Sequence, residues 1–173
     1  MKQKTNILNL VLSAFFAAII TVFTAWLFHI PIKIGGNTAY LHFGDAFLFL
    51  AASLLPTGYA SAAAAIGGGL ADLLCGSAVW APFTIVIKAI IAFCFSSTGE
   101  KILSKRNLFA LVPSLFITVI GYYIAAALIY GNWIAPALSV WGNVVQIIGS
   151  GIIYFSVGVA LDKINIKNRL TAK

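Results

Sequence analysis

Six apolar segments, separated by short polar or glycine- and proline-containing stretches, dominate the pattern of this chain. They cover residues 7–30, 42–56, 59–75, 82–97, 108–130 and 137–161. The longer segments exceed the roughly 20 residues that a helix needs to cross the hydrocarbon core of a bilayer. The shorter ones are expected to extend into flanking turns or to cross where the bilayer thins. The pattern therefore predicts an all-α membrane protein, a bundle of six transmembrane helices.

The composition supports a membrane protein with one domain. Hydrophobic residues make up 61% of the chain and charged residues only 9%, and the mean hydropathy is +1.02. A soluble domain of this size could not bury so much apolar surface, and no hydrophilic segment is long enough for a second domain. The first apolar run is too long for a signal peptide. We therefore expect residues 1–173 to form a single integral-membrane domain.

The basic residues predict the orientation of the bundle. Nine of the eleven Lys and Arg residues lie before the first segment, in the loop 99–107 or in the C-terminal tail, which leaves only Lys33 and Lys88 elsewhere. Six crossings place these three regions on one side, and the positive-inside rule makes that side cytoplasmic. Both termini are therefore expected in the cytoplasm of a multi-pass plasma-membrane protein. The net charge of +7 sets orientation and does not indicate nucleic-acid binding.

Three charged residues lie inside otherwise apolar segments. Asp45, Asp72 and Lys88 all fall toward the outer side of the predicted membrane. A charged side chain in a bilayer is costly, so it usually faces a cavity or a partner. Asp45 could equally stabilise the start of its helix through the dipole. An Asp72–Lys88 ion pair could be purely structural. The alternative for all three is contact with a small solute.

Further polar and aromatic side chains fall at a similar depth. His42 is three residues before Asp45, and the sixth segment carries Asn143, Gln146 and Ser150 on one stripe. These amides need partners, which neighbouring helices or a ligand can supply. The aromatic residues near the outer interface suit an interfacial belt or a lid that stacks on a flat ligand. The candidate substrate-binding residues are His42, Asp45, Asp72, Trp80, Lys88, Tyr122, Trp133, Asn143 and Gln146.

The sequence offers no sign of catalysis, a cofactor or a metal site. The two histidines lack a zinc-ligand spacing, and Cys75 and Cys94 lie in different segments, toward opposite sides of the membrane. No nucleophile elbow is present. Gly67-Gly68-Gly69 is not followed by Gly-Lys-Ser/Thr, so it is no phosphate-binding loop. We expect these glycines to permit close helix contact, and we expect no enzyme activity.

Small residues also form a face on the first helix. Ala14 and Ala18 are four residues apart, a small-xxx-small spacing that lets another helix approach closely. From spacing alone, packing within the bundle and docking of a partner both remain open.

Taken in order, these motifs resemble the substrate-capture subunits (S components) of energy-coupling factor (ECF) vitamin transporters. The resemblance covers nearly the whole chain. It rests on Ala14-Phe-Phe-Ala-Ala18, the long loop Pro31–Leu41, Phe43-Gly44-Asp45, and the block from Ile66 to Gly76 followed by Pro82-Phe83-Thr84 and Lys88. Asn143 and Gln146 fit the polar sixth helix of that family.

The resemblance implies a mechanism and partners. Such a subunit captures a vitamin from outside under the loop between the first two helices, with nanomolar-class affinity. It then topples onto a transmembrane coupling subunit that is driven by two cytoplasmic ATPase subunits. By this resemblance, Ala14 and Ala18 would dock on the coupling subunit.

The identity of the vitamin is less constrained. The expected mixture of carboxylates, one amine, amides and aromatics favours a small hydroxylated heterocycle, such as a vitamin B6 form or a thiamine-precursor pyrimidine. An acidic vitamin such as pantothenate or biotin could instead pair with Lys88. The alternative function is a stand-alone, ion-coupled secondary carrier. That class would show matched interrupted helices in its two halves, and no convincing internal repeat is present.

Overall fold

The computed structural model describes residues 2–27, 30–34, 37–134, 136–137 and 140–171, which form seven helices and one hairpin. The helices are α1 (Lys2–Ala25), α2 (Gly44–Leu54), α3 (Thr57–Leu74), α4 (Ala81–Cys94), α5 (Lys105–Tyr130), α6 (Val140–Lys163) and α7 (Ile166–Thr171). The hairpin consists of β1 (Ile30–Ile34) and β2 (Asn37–Leu41), which are antiparallel, with Ile30 opposite Leu41.

The first six helices pack as a bundle in which consecutive helices from α2 onward are joined by connections of at most about ten residues, while the hairpin joins α1 to α2. The helix α3 packs most extensively on α1 and α4, while α2 lies between α1, α3 and α6. Short connections make neighbouring helices antiparallel. We call the end where α1, α3 and α5 finish the hairpin end, because β1 and β2 connect α1 to α2 there.

The lengths and surfaces of the helices agree with a membrane bundle. Among the described residues, Asn6–Ala25, Lys105–Tyr130 and Val140–Lys163 are long and apolar enough to cross a bilayer, and α2 and α4 are shorter apolar helices. Large apolar side chains also point outward on these helices, among them Leu10, Phe116, Ile120, Ile152 and Phe155. An outward apolar surface of this kind suits contact with lipid.

The first helix ends earlier than the sequence analysis expected. It finishes at Ala25, and the amides of Trp26 and Leu27 both donate to the Val22 carbonyl in a closing turn. Ile30 begins β1, so the expectation of helix as far as residue 30 is wrong. The physical reason lies in the segment Ile30–Ile34: proline disfavours helix in the residue before it, and alternating β-branched residues favour a strand.

Glycines on α3 allow its two neighbours to approach closely. A Cβ on Gly67 would lie 2.8 Å from the Ala17 oxygen of α1, and one on Gly68 would lie 2.9 Å from Thr84 Cγ2 of α4. The Thr21 hydroxyl also donates to the Gly67 carbonyl at 3.1 Å. The run of glycines therefore serves helix contact and places α4, with its lysine, against α3.

The end opposite the hairpin is held by hydrogen bonds that involve a buried tyrosine and a carboxylate. The Tyr154 hydroxyl lies 2.9 Å from that of Ser53 and donates to the Ile102 carbonyl at 3.1 Å. The Asp162 carboxylate accepts from the amides of Ile102 and Leu103 at 2.8 and 3.0 Å. These contacts fix the α4–α5 connection on α2 and α6.

Candidate functional site

The site begins with Asp45 in the first turn of α2, where the side chain is buried at 1% exposure. Its position depends on the tight contact between α2 and α1. A Cβ on the preceding residue, Gly44, would lie 3.2 Å from the Ile20 carbonyl oxygen and closer still to the Thr24 side chain. Asp45 is thus carried into the bundle interior instead of toward solvent.

Lys88 reaches Asp45 from the neighbouring helix. It lies about two turns into α4, is 2% exposed, and its Nζ forms an ion pair and a hydrogen bond with Asp45 Oδ1. Gln146 of α6 is also buried, and its Nε2 donates to Asp45 Oδ2 at 2.7 Å. Both carboxylate oxygens therefore have partners, which is what a charge at this depth requires.

An aromatic group covers one side of this cluster. Lys88 Nζ lies 5.6 Å from the centroid of the Tyr122 ring, within the range of a cation–π interaction. The Tyr122 hydroxyl donates to Thr84 Oγ1 at 3.2 Å. The ring of Trp80 is 6.2 Å from that of Tyr122. The cluster thus joins polar groups with two adjacent aromatic rings at the hairpin end.

The partner of Lys88 differs from the one considered in the sequence analysis. The ion pair joins Lys88 to Asp45 and not to Asp72, so an architectural Asp72–Lys88 pair is wrong. The helix α2 lies close enough to α4 for the Asp45 carboxylate to reach Lys88 Nζ. The Asp72 carboxyl interacts with the Thr84 side chain by hydrogen bonding and with Lys88 electrostatically, and its buried Oδ2 accepts no hydrogen bond from any described residue.

Of the remaining candidate residues, His42 and Asn143 lie near the cluster of charged and polar side chains, whereas Trp133 lies away from it. His42 directly precedes α2, is partly buried and acts electrostatically on Asp45. Asn143 is partly buried on α6, about one turn nearer the hairpin end than Gln146. Trp133 is 57% exposed; its ring lies 6.4 Å from Tyr123, whose hydroxyl donates to the Trp133 carbonyl. Trp133 therefore packs against the end of α5 within the α5–α6 connection and is not part of the polar cluster.

Thr84 is a further residue at this cluster that was not predicted from the sequence. Thr84 is buried on α4 and is the hydrogen-bond partner of Tyr122. Its position four residues before Lys88 puts both side chains on one helix face, and this spacing was a signal that could have identified it.

The small-residue face of α1 points away from the bundle. Ala14 and Ala18 are both exposed, whereas Ala17 is buried at 7% exposure, on the side of α1 that packs against α3. Neighbouring positions on the outer face carry Leu10, Val11 and Phe15, which are also exposed. Ala14 and Ala18 therefore do not pack within the bundle, and they leave a shallow apolar face open to lipid or to another helix.

Comparison with known proteins identifies the family to which the chain belongs. The family model described as "ECF-type riboflavin transporter, S component" matches residues 4–163. No curated protein matches the chain. S components are the membrane-embedded, substrate-binding subunits of vitamin transporters, and they work with other ECF components instead of acting as enzymes. Because the match covers nearly the whole chain, this protein belongs to the family of ECF-type riboflavin transporter S components.

Proposed function

We propose that this S component captures an uncharged, planar heterocyclic vitamin at the hairpin end, and that riboflavin is the first compound to test. The observation that carries this proposal is the buried cluster of Asp45, Lys88 and Gln146 beside the Tyr122 and Trp80 rings. Convergent polar groups next to aromatic rings are the usual composition of a site for a small heterocycle.

The charges of the cluster argue against an acidic vitamin. Lys88 is already neutralised by Asp45, so pantothenate or biotin would meet no uncompensated cation there. Asp72 lies close by and its Oδ2 has no hydrogen-bond donor among the described residues. A ligand that offers an N–H or O–H group would satisfy this oxygen, whereas a carboxylate would be repelled by it.

The choice among neutral heterocycles rests on the family. Riboflavin has a flat ring system that can stack on aromatic side chains, a ring N–H donor and a polyhydroxylated chain. The family description names it. A vitamin B6 form or a thiamine-precursor pyrimidine offers a smaller ring with the same kinds of groups. These two remain the alternatives within the same chemical class.

We further propose that the hairpin end faces outward and that both termini are cytoplasmic. The basic residues Lys101, Lys105, Arg106, Lys163 and Arg169 all lie near the opposite end, where the positive-inside rule favours the cytoplasm. The exposed face around Ala14 and Ala18 would then dock on the transmembrane coupling subunit, and two cytoplasmic ATPase subunits would supply the energy.

The test combines binding with reconstituted uptake. Purified protein is titrated with riboflavin, pyridoxine, the thiamine-precursor pyrimidine, pantothenate and biotin, and the best ligand is used in proteoliposomes with and without the other ECF subunits. We expect tightest binding of riboflavin, and uptake only with the full complex and ATP. Uptake by this chain alone, driven by a pH gradient, would instead establish a secondary carrier. Preferential binding of pantothenate or biotin would contradict the charge argument.

A further inference from the structure

Two buried hydroxyl groups lie beneath the polar cluster without hydrogen-bond partners. Thr118 of α5 and Ser150 of α6 are both 0% exposed. Neither Thr118 Oγ1 nor Ser150 Oγ has a partner among the residues that the structure describes. Leaving a buried hydroxyl unsatisfied is unfavourable, so native structures rarely tolerate it without a reason.

Other hydroxyls in this bundle show that a local solution was available. Thr21, Ser114 and Ser156 each donate to the carbonyl four residues earlier, at 2.9, 2.7 and 2.9 Å. This back-bonding is how serine and threonine are normally satisfied within a helix. Thr118 and Ser150 do not use it, and their hydroxyls remain available to another group.

Thr118 and Ser150 each lie one helical turn from a residue of the candidate site. Ser150 follows Gln146 by four residues on α6, and Thr118 precedes Tyr122 by four residues on α5. A spacing of four keeps both on the helix faces that carry the site residues. Because the two helices run in opposite directions, both hydroxyls lie about 6 Å deeper than the cluster.

An apolar groove lies between α5 and α6 next to these two residues. The groove has a volume of about 410 Å³ and is lined, among others, by Leu115, Ile147 and Gly151. Leu115 is three residues from Thr118, and Ile147 and Gly151 flank Ser150. The groove opens on the outer face of the bundle, where Ile148 and Ile152 are exposed, and Thr118 and Ser150 lie behind it on the inner faces of the same helices.

We propose that Thr118 and Ser150 form the inner end of the substrate site and bind hydroxyl groups of the captured vitamin. The ring would lie beside Tyr122 and Trp80 while a hydroxylated substituent reaches inward. This inference rests on the proposed function and adds to it a requirement on the substrate: the deeply inserted part carries hydroxyl groups.

The test compares two flavins that differ in their hydroxyl groups. Riboflavin and lumiflavin share the ring system, but lumiflavin has a methyl group in place of the polyhydroxylated chain. Dissociation constants are measured by flavin fluorescence for the wild type, Thr118→Val and Ser150→Ala. We expect each substitution to weaken riboflavin binding by about five- to tenfold, the loss of one hydrogen bond, and to leave lumiflavin unchanged. Ser156→Ala, which alters an exposed hydroxyl on α6, should change neither.

Thermal unfolding without ligand provides an independent readout. Valine and alanine remove hydroxyls that have no partner in the ligand-free protein, so both variants should unfold at the wild-type temperature or slightly above it. Ser53→Ala, which removes the partner of Tyr154, should lower the midpoint. A comparable decrease in Thr118→Val or Ser150→Ala would show a structural role and overturn the proposal.

The outcomes separate this inference from the proposed function. Suppose that the wild type binds riboflavin, and that the variants lose affinity equally for both flavins or for neither. The inner hydroxyl site is then wrong, and vitamin capture stands. If the wild type binds neither flavin, the riboflavin assignment is wrong, and the same comparison is made with pyridoxine and 4-deoxypyridoxine, which lacks one hydroxyl. If the wild type binds none of these four compounds and not the thiamine-precursor pyrimidine either, both proposals are wrong.

Discussion

Lys88 and Asp45 form an ion pair between α4 and α2 in which both side chains are almost completely buried, at 2% and 1% exposure. The pair has no net charge, and Gln146 supplies the second hydrogen bond to the carboxylate at 2.7 Å. Three helices thus meet at one carboxylate. Since an isolated charge at this depth would be strongly unfavourable, the geometry of the site depends on all three residues together.

Removing Lys88 should destabilise the bundle because it leaves Asp45 buried without its cation. For Lys88→Met we expect a loss of about 3–5 kcal/mol, which corresponds to a thermal midpoint lower by roughly 10 °C. Asp45→Asn in the same chain should recover most of this loss. Lys88→Met with Asp72→Asn is the matched control and should not recover it. Equal recovery by both double variants would contradict the assignment of the pair.

Replacing Gln146 should lower the stability of the protein by an amount that depends on the charge of the new side chain. Gln146→Leu removes one donor to Asp45 and should cost about 1–3 kcal/mol of stability. Gln146→Glu places a second carboxylate against the first and should be worse at neutral pH. Thermal unfolding of the two variants in the same detergent measures the difference. A glutamate variant as stable as the wild type would show that Gln146 does not contact Asp45.

Gly68 should tolerate no side chain, because α4 packs directly on it. In Gly68→Ala the new Cβ would lie 2.9 Å from Thr84 Cγ2 and 3.1 Å from Lys88 Cγ. We expect lower thermal stability and about tenfold weaker vitamin binding as the lysine is displaced. Gly58→Ala on the same helix is the control: its Cβ would meet no atom within 4 Å, so stability and binding should be retained. If vitamin binding is weaker in Gly58→Ala but not in Gly68→Ala, direct packing of α4 on Gly68 does not position the lysine.

Bulky residues on the open face of α1 should separate binding from transport. Ala14→Trp combined with Ala18→Trp adds volume to an exposed surface, so folding and vitamin affinity should stay near wild-type values. Uptake by the reconstituted complex should fall to background, because the coupling subunit can no longer approach closely. Ile120→Trp, on an exposed position of α5, should leave uptake unchanged. Normal assembly and uptake in the alanine double variant would show that docking occurs elsewhere.

Sequence reasoning predicted the helices better than the contacts between them. Apolar periodicity and proline and glycine positions were enough to place α2 to α6 within a few residues. The hairpin was missed although Ile30, Ile32 and Ile34 alternate with other residues in a strand-like pattern. The long apolar run before them had favoured a continuous helix.

The partner of Lys88 could not be predicted in the same way. Asp45 and Asp72 both lie toward the hairpin end of helices adjacent to α4, so depth alone makes either one suitable. The rotation of α2 and its close approach to α1 at Gly44 decide the outcome. These depend on side-chain packing between distant segments. By contrast, Thr84 was accessible to sequence reasoning, because it shares a helix face with Lys88.

The most direct test of vitamin capture is native mass spectrometry of the purified protein after incubation with an equimolar mixture of water-soluble vitamins that includes riboflavin. We expect one adduct with a stoichiometry of one ligand per chain and the mass of riboflavin. The adduct should be lost in Lys88→Met under conditions where that variant remains folded. If the protein carries no vitamin from the mixture while its thermal unfolding shows it to be folded, it is not a vitamin-capturing subunit.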